Sequence, residues 1–231
     1  MTSIAENIHS IRRRMAAAAE RAGRRPEDIL LVGASKMNDA AACRAAIAAG
    51  IDALGENRVQ EMAEKSALHA YDGAPLHFIG HLQRNKVRQV VGQAALIHSA
   101  GSVELLREID RQAEKRSLVQ DVLLEVNIGG EQSKSGFAPD ALYDAAAKAR
   151  ELPHVRVLGL MTIPPPAREP RGNLPYFAKV ASLYVDISRD LYDNRFKYLS
   201  MGMSDDFEDA IAAGATVVRV GSAIFGHRQY Q

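Results

Sequence analysis

Short apolar runs alternate along this chain with stretches whose apolar residues recur every three or four positions. The runs are Ile29–Ala34, Ala53–Gly55, His77–Gly80, Leu96–Ser99, Val122–Asn127, Val155–Met161, Tyr198–Met201 and Val217–Gly221. Runs of this length read as buried strands, and the three-or-four spacing reads as a helix with one apolar face. Each of the first seven runs precedes a helical stretch. After the sixth, for example, Phe177, Val180, Tyr184, Ile187 and Leu191 keep helical spacing. Strands that alternate with helices pair in parallel through crossovers, and eight such units predict a closed (β/α)₈ TIM barrel.

A further helix is predicted over residues 3–22. Ile4, Ile8, Ile11, Met15, Ala18 and Ala22 share a face, Ser3 and Glu6 have capping-box spacing, and Gly23 is a natural stop. Little chain follows the eighth run, so this helix is expected to fill the gap in the outer ring. No Pro- or Gly-rich linker divides the chain, and residues 1–231 read as a single domain. Loops Gly129–Gly136 and Pro164–Asn173 follow the fifth and sixth strands. They are expected on the C-terminal face, where such barrels build their sites.

Composition narrows the function classes. With 29 basic and 28 acidic side chains the net charge is +1, which provides no field to gather nucleic acid or an acidic membrane surface. Arg12, Arg13, Arg14 and Arg21 lie mostly off the apolar helical face and read as solvated surface. Glu6 and Glu20 argue against a transit peptide. No apolar run approaches the length of a membrane span. The one cysteine, Cys43, has no internal disulfide partner and fits a cytoplasmic setting. The seven histidines show no close ligand spacing, so no metal site is expected. Neither a Walker A nor a Gly-x-Gly-x-x-Gly sequence is present.

Lys36 carries the sharpest chemical signal. Alternation places Leu30, Val32, Ala34 and Lys36 on one side of the first strand. If that side faces the barrel, a partly desolvated amine stands at its C-terminal rim, suited to attack an aldehyde. The alternative is a solvated lysine at a strand end. Ser200-Met201-Gly202-Met203-Ser204 follows the seventh strand, with Ser204 as expected N-cap of a helix over Asp205–Ala213. Gly221-Ser222 follows the eighth strand. Loops after strands seven and eight commonly hold phosphate in these barrels, although Asp205 and Asp206 oppose an anion. Arg219 shares a strand face with Val217 and Gly221. Buried, it requires a ligand or partner; on the outside it is a surface salt bridge. Asn57 and His81 follow strands two and three, with helix capping and a structural histidine as the plainer readings. Lys134 reads as a mobile, solvated lysine.

These residues sit within motifs that resemble one family. They are Val32-Gly33-Ala34-Ser35-Lys36, Gly55-Glu56-Asn57-Arg58-Val59-Gln60-Glu61 and His77-Phe78-Ile79-Gly80-His81-Leu82-Gln83-Arg84-Asn85-Lys86. Further along come Ser133-Lys134-Ser135-Gly136-Phe137, Gly159-Leu160-Met161-Thr162, Leu199-Ser200-Met201-Gly202-Met203-Ser204 and Val218-Arg219-Val220-Gly221-Ser222. Over nearly its whole length the chain resembles the pyridoxal 5′-phosphate (PLP) homeostasis, or PLP-binding, proteins. The resemblance implies a fold like the N-terminal barrel of alanine racemase and PLP joined to Lys36 as a Schiff base. It implies phosphate held by Ser204, Gly221, Ser222 and Ser200, with Arg219 facing the pyridine nitrogen and Asn57 near the ring.

An arginine beside the pyridine nitrogen disfavours its protonation, which weakens the ring as an electron sink. Racemisation also needs acid–base groups on both substrate faces, and 231 residues leave no length for the second domain that supplies one in alanine racemases. The expectation is a PLP carrier or buffer without catalytic turnover, a monomer or weak dimer, whose further partners are apo PLP-dependent enzymes. The alternatives are a PLP-dependent racemase or lyase, and a cofactor-free Schiff-base aldolase acting on a sugar phosphate.

Overall fold

The computed structural model describes residues 3–131, 134–167 and 169–226. Gln132, Ser133, Arg168 and His227, which belong to segments named above, lie outside the described residues. Eight strands form a closed, all-parallel barrel in sequence order: β1 Leu30–Ala34, β2 Ala53–Glu56, β3 Leu76–Phe78, β4 Leu96–Ala100, β5 Gln120–Val126, β6 Val155–Thr162, β7 Tyr198–Ser200 and β8 Val217–Val220. β8 pairs with β1, aligning Val32 with Arg219. All eight predicted runs are strands. The third is shorter at its C-terminal end than expected, because the backbone at Gly80 leaves the sheet to pack on Asn57, as described below.

The helices follow from local signals. α1, Ile4–Arg21, opens with the capping box: the Ser3 hydroxyl accepts from the Glu6 amide and the Ser3 amide donates to the Glu6 carboxylate. α2, Ala40–Ala48, is capped by Asp39, and α5, Val103–Glu114, by Ser102. The remaining helices are α3 Val59–Ala67, α4 Val87–Val90, α6 Leu142–Ala149, α7 Leu174–Tyr192, α8 Phe207–Ala212 and α9 Ser222–Phe225. No helix of the described residues is long and apolar enough to cross a membrane.

Alternation along the strands divides the core. Outward-facing Leu31, Leu54, Ile97, Leu124 and Val218 join the helices in one large apolar cluster. Inside the barrel, Val32, Ala53 and Val217 form one small cluster, and Leu96, Leu123, Leu158 and Met161 another. Because β1 directs Val32 inward, Lys36 is carried to the inner rim. α1 buries Ile8, Ile11, Met15 and Ala18 and packs against α2, α8 and α9, filling the expected gap in the ring. Arg12 bonds to Asp52 and Arg14 to Glu208, consistent with a surface role for these cations.

Candidate functional site

A cavity of about 260 Å³ opens at the C-terminal end of the strands. Lys36, Asn57, Ser204, Arg219, Gly221 and Ser222 all line it. Lys36 lies two residues beyond β1 and is half-buried. Asn57 follows β2 and does not cap α3, whose N-cap is Arg58. Its Oδ1 is buried without a hydrogen-bond partner, an acceptor that a ligand donor would satisfy. Gly80 brings the loop after β3 over this residue. A Cβ on Gly80 would stand 2.2 Å from the Asn57 carbonyl oxygen, so only glycine permits the approach.

The loops after β7 and β8 meet at the cavity, where the Ser204 and Ser222 hydroxyl oxygens are 3.2 Å apart. The expected helix over Asp205–Ala213 is shorter, Phe207–Ala212, and its N-cap is Asp206 rather than Ser204. The physical reason is that Asp206 braces the preceding loop. Its Oδ1 accepts from the Met203 amide at 2.7 Å, and its Oδ2 accepts from Asn173 Nδ2 at 2.7 Å. Ser204 is thereby left beside Ser222, and the Asp206 charge is spent on the protein's own donors. Gly202, at φ +90°, allows the loop to pack on Phe207 and Ala210. Asp205 lines the cavity and remains an opposing charge.

Arg219 is buried inside the barrel, so the surface salt-bridge alternative fails. It donates to the Ser200 hydroxyl and to the Thr162 carbonyl oxygen, the latter at 2.9 Å. Burial lowers its pKa to about 10, against the raising influence of Asp206 and Glu125, so it remains a cation at neutral pH. Ser200 differs from its expected role. It is fully buried and does not line the cavity, because β7 directs it inward beneath Arg219.

Ser200 also bonds to His98 Nδ1 at 2.9 Å, and His98 Nε2 meets His77 Nδ1 at 3.1 Å. Burial holds His77 down to about 4 and, with the His77 and Arg219 charges, holds His98 well below the ordinary range. Both rings are therefore neutral at pH 7. Since the guanidinium only donates, the hydrogen-bond pattern assigns the Ser200 proton to His98 Nδ1 and the His98 proton to His77.

A second cavity, of about 350 Å³, shares Asn57, Ile79 and Ile163 with the first and is also lined by His81, Glu125 and Lys134. Burial raises the Glu125 pKa, partly offset by its bond from Ser135. Lys134 is not simply solvated: it pairs with Glu131 at 2.7 Å. The sequence assigns no individual role to His77, His98, Thr162 or Glu125. For His98 and Glu125 the signal was their alternation with the inward-facing Leu96 and Leu123.

Residues 3–229 match the model of the alanine racemase N-terminal domain family. The pyridoxal phosphate homeostasis protein of Aquifex aeolicus is 45% identical over 226 residues, covering 97% of this chain and 98% of that protein. Its namesake in Escherichia coli is 39% identical, covering 100% and 99%. PipY of Synechococcus elongatus, solved with PLP bound, superimposes with a TM-score of 0.84 at 33% identity, covering 97% of this chain and 100% of that one. Alanine racemase of Clostridium difficile shares the fold, with a TM-score of 0.72 at 18% identity over 58% of its length. The chain belongs to the alanine racemase N-terminal domain family and, within it, to the pyridoxal phosphate homeostasis proteins.

Proposed function

We propose that this protein binds PLP reversibly on Lys36 and acts in PLP homeostasis as a carrier or buffer, without catalytic turnover. One observation carries the reading: an amine, a buried guanidinium, an unpartnered amide oxygen and two serine hydroxyls converge on one cavity. When bound, PLP supplies an aldehyde that the Lys36 amine takes up as a Schiff base, and a ring able to accept electrons. Ser204 and Ser222, with the backbone at Gly221, are suited to a phosphate. Asn57 Oδ1 offers an acceptor to a hydroxyl on the ring.

Arg219 carries the argument against turnover. A guanidinium has no acceptor and holds its charge at neutral pH, so toward a pyridine nitrogen it donates and opposes protonation there. Such a ring stabilises a carbanion poorly, which suits storage better than α-carbon chemistry. The recipients of the cofactor, in this reading, are apo PLP-dependent enzymes.

The test is a visible spectrum of the purified protein with added PLP, before and after borohydride, with peptide mapping of the reduced product. A coloured protein whose adduct maps to Lys36 is expected. A protein that stays colourless and yields no adduct would remove the cofactor and favour a Schiff-base aldolase. Amino-acid turnover that disappears in Lys36→Ala would overturn the carrier role alone.

A further inference from the structure

The backbone around Lys36 is held on both sides by α3. On the N-terminal side, the Ser35 carbonyl oxygen accepts from Lys65 Nζ at 2.8 Å. On the C-terminal side, the Met37 amide donates to Glu61 Oε2 at 2.7 Å. Glu61 and Lys65 are four residues apart on one helical face and lie 3.6 Å from each other. Lys65 is itself buried and paired with Glu56 Oε1 at 2.7 Å. Glu56 also accepts from the Ser35 hydroxyl at 2.7 Å and from Tyr71 at 3.2 Å. Met37 adopts φ +63°, a left-handed conformation unusual for a residue other than glycine. Its side chain is exposed, so no packing of its own accounts for that conformation.

Two residues of one helix thus grip the two peptide units that flank Lys36. A plain stabilising ion pair between α3 and the barrel would need only Lys65 and Glu56. The bond from Met37 to Glu61 adds nothing to that pair, but it fixes the direction in which the chain leaves Lys36. We infer that Glu61 and Lys65 are positioning residues that aim the Lys36 amine into the cavity, so that α3 sets how readily Lys36 forms its Schiff base. This inference rests on the proposed binding of PLP.

Two probes separate aim from affinity. PLP carries the aldehyde, whereas pyridoxine 5′-phosphate carries an alcohol in its place and forms no Schiff base. In Glu61→Ala, the borohydride-trapped adduct on Lys36 is expected to form about tenfold to a hundredfold more slowly, the loss typical of a reacting group displaced by about 1 Å. The affinity for pyridoxine 5′-phosphate should stay within about twofold, because the phosphate loops and Arg219 are untouched. Glu61→Gln, which retains an oxygen acceptor for the Met37 amide, should restore the rate. A second variant, Lys65→Met with Glu56→Gln, frees the Ser35 carbonyl without stranding a buried carboxylate and should show the same split. Adduct formation at the wild-type rate in both variants would overturn the inference, as would equal losses for the two probes. A wild-type protein that gives no adduct would instead overturn the binding of PLP itself.

Discussion

The Arg219 guanidinium, at the wall of the cavity, rests on the Ser200 hydroxyl, which is buried inside the barrel and does not line that cavity. This contact links the cavity to the neutral pair His98 and His77. It also predicts different consequences for the two serines that flank Gly202.

Ser200→Ala removes a support of Arg219 and leaves His98 Nδ1 without its partner. An orphaned buried acceptor costs about 1–3 kcal/mol, readable as a lower denaturation midpoint in urea. Affinity should fall both for PLP and for pyridoxal, which lacks phosphate. Ser204→Ala should weaken PLP alone. If Ser200→Ala also spared pyridoxal, Ser200 would be a phosphate ligand after all.

Arg219→Ala should weaken equilibrium binding of PLP by about tenfold or more, the loss expected for a charge-assisted hydrogen bond of about 1.5–3 kcal/mol. Arg219→Lys should recover only part of this, because one ammonium cannot reach Ser200, the Thr162 carbonyl and a ligand as a planar fork does. Absorbance titration of both variants against wild type checks the order.

His77 and His98 make the fold sensitive to acid. Their native pKa values lie below the ordinary 6.5, with His77 at about 4. The unfolded chain therefore binds more protons than the native one in that interval. Their contribution is fully present above pH 6.5 and is lost as pH falls toward 4, at up to about 1.4 kcal/mol per pH unit for each ring. Glu125, whose pKa is raised by burial, contributes with the opposite sign. Unfolding free energies of wild type and His77→Gln between pH 7 and 4 isolate the histidine contribution, and the variant should show the shallower slope.

Gly80→Ala should cost several kcal/mol of stability, since its Cβ would overlap the Asn57 backbone and neither segment is a flexible side-chain end. If the fold survives by shifting the loop, Asn57 moves and affinity for PLP falls. A thermal melt paired with a PLP titration reads both.

The barrel itself was legible because every strand combined a short apolar run with a following helical repeat. Lys36 was legible through the inward parity of Leu30 and Val32. Ser204 was read correctly as a cavity residue but wrongly as a helix cap, because a serine and two aspartates in succession offer three candidate caps. Asp206 takes the position, held by the Met203 amide and by Asn173 Nδ2. For Ser200, a glycine-containing loop motif suggests a residue facing the ligand, whereas it is the last residue of β7 and is buried beneath Arg219. The Glu56–Lys65 pair and the His77–His98 chain were not legible, because each joins separate elements and neither partner is unusual on its own.

The packing of α1 against α8 and α9 has a consequence for how the molecule comes into being. Asn7 Nδ2 donates to the Ile224 carbonyl oxygen, so a residue near the start of the chain secures the turn that begins at Ser222. Of the partners of α1, α2 lies near it in sequence, whereas α8 and α9 lie some two hundred residues away, so this part of its apolar face is covered only by distant chain. Contacts between residues so far apart in sequence form late and slowly. The wall that Gly221 and Ser222 give the cavity therefore depends on a contact between elements far apart in sequence. A chain that lacked β8 and α9 would keep Lys36 but lose Arg219, Gly221 and Ser222, three of the residues that line the cavity with it.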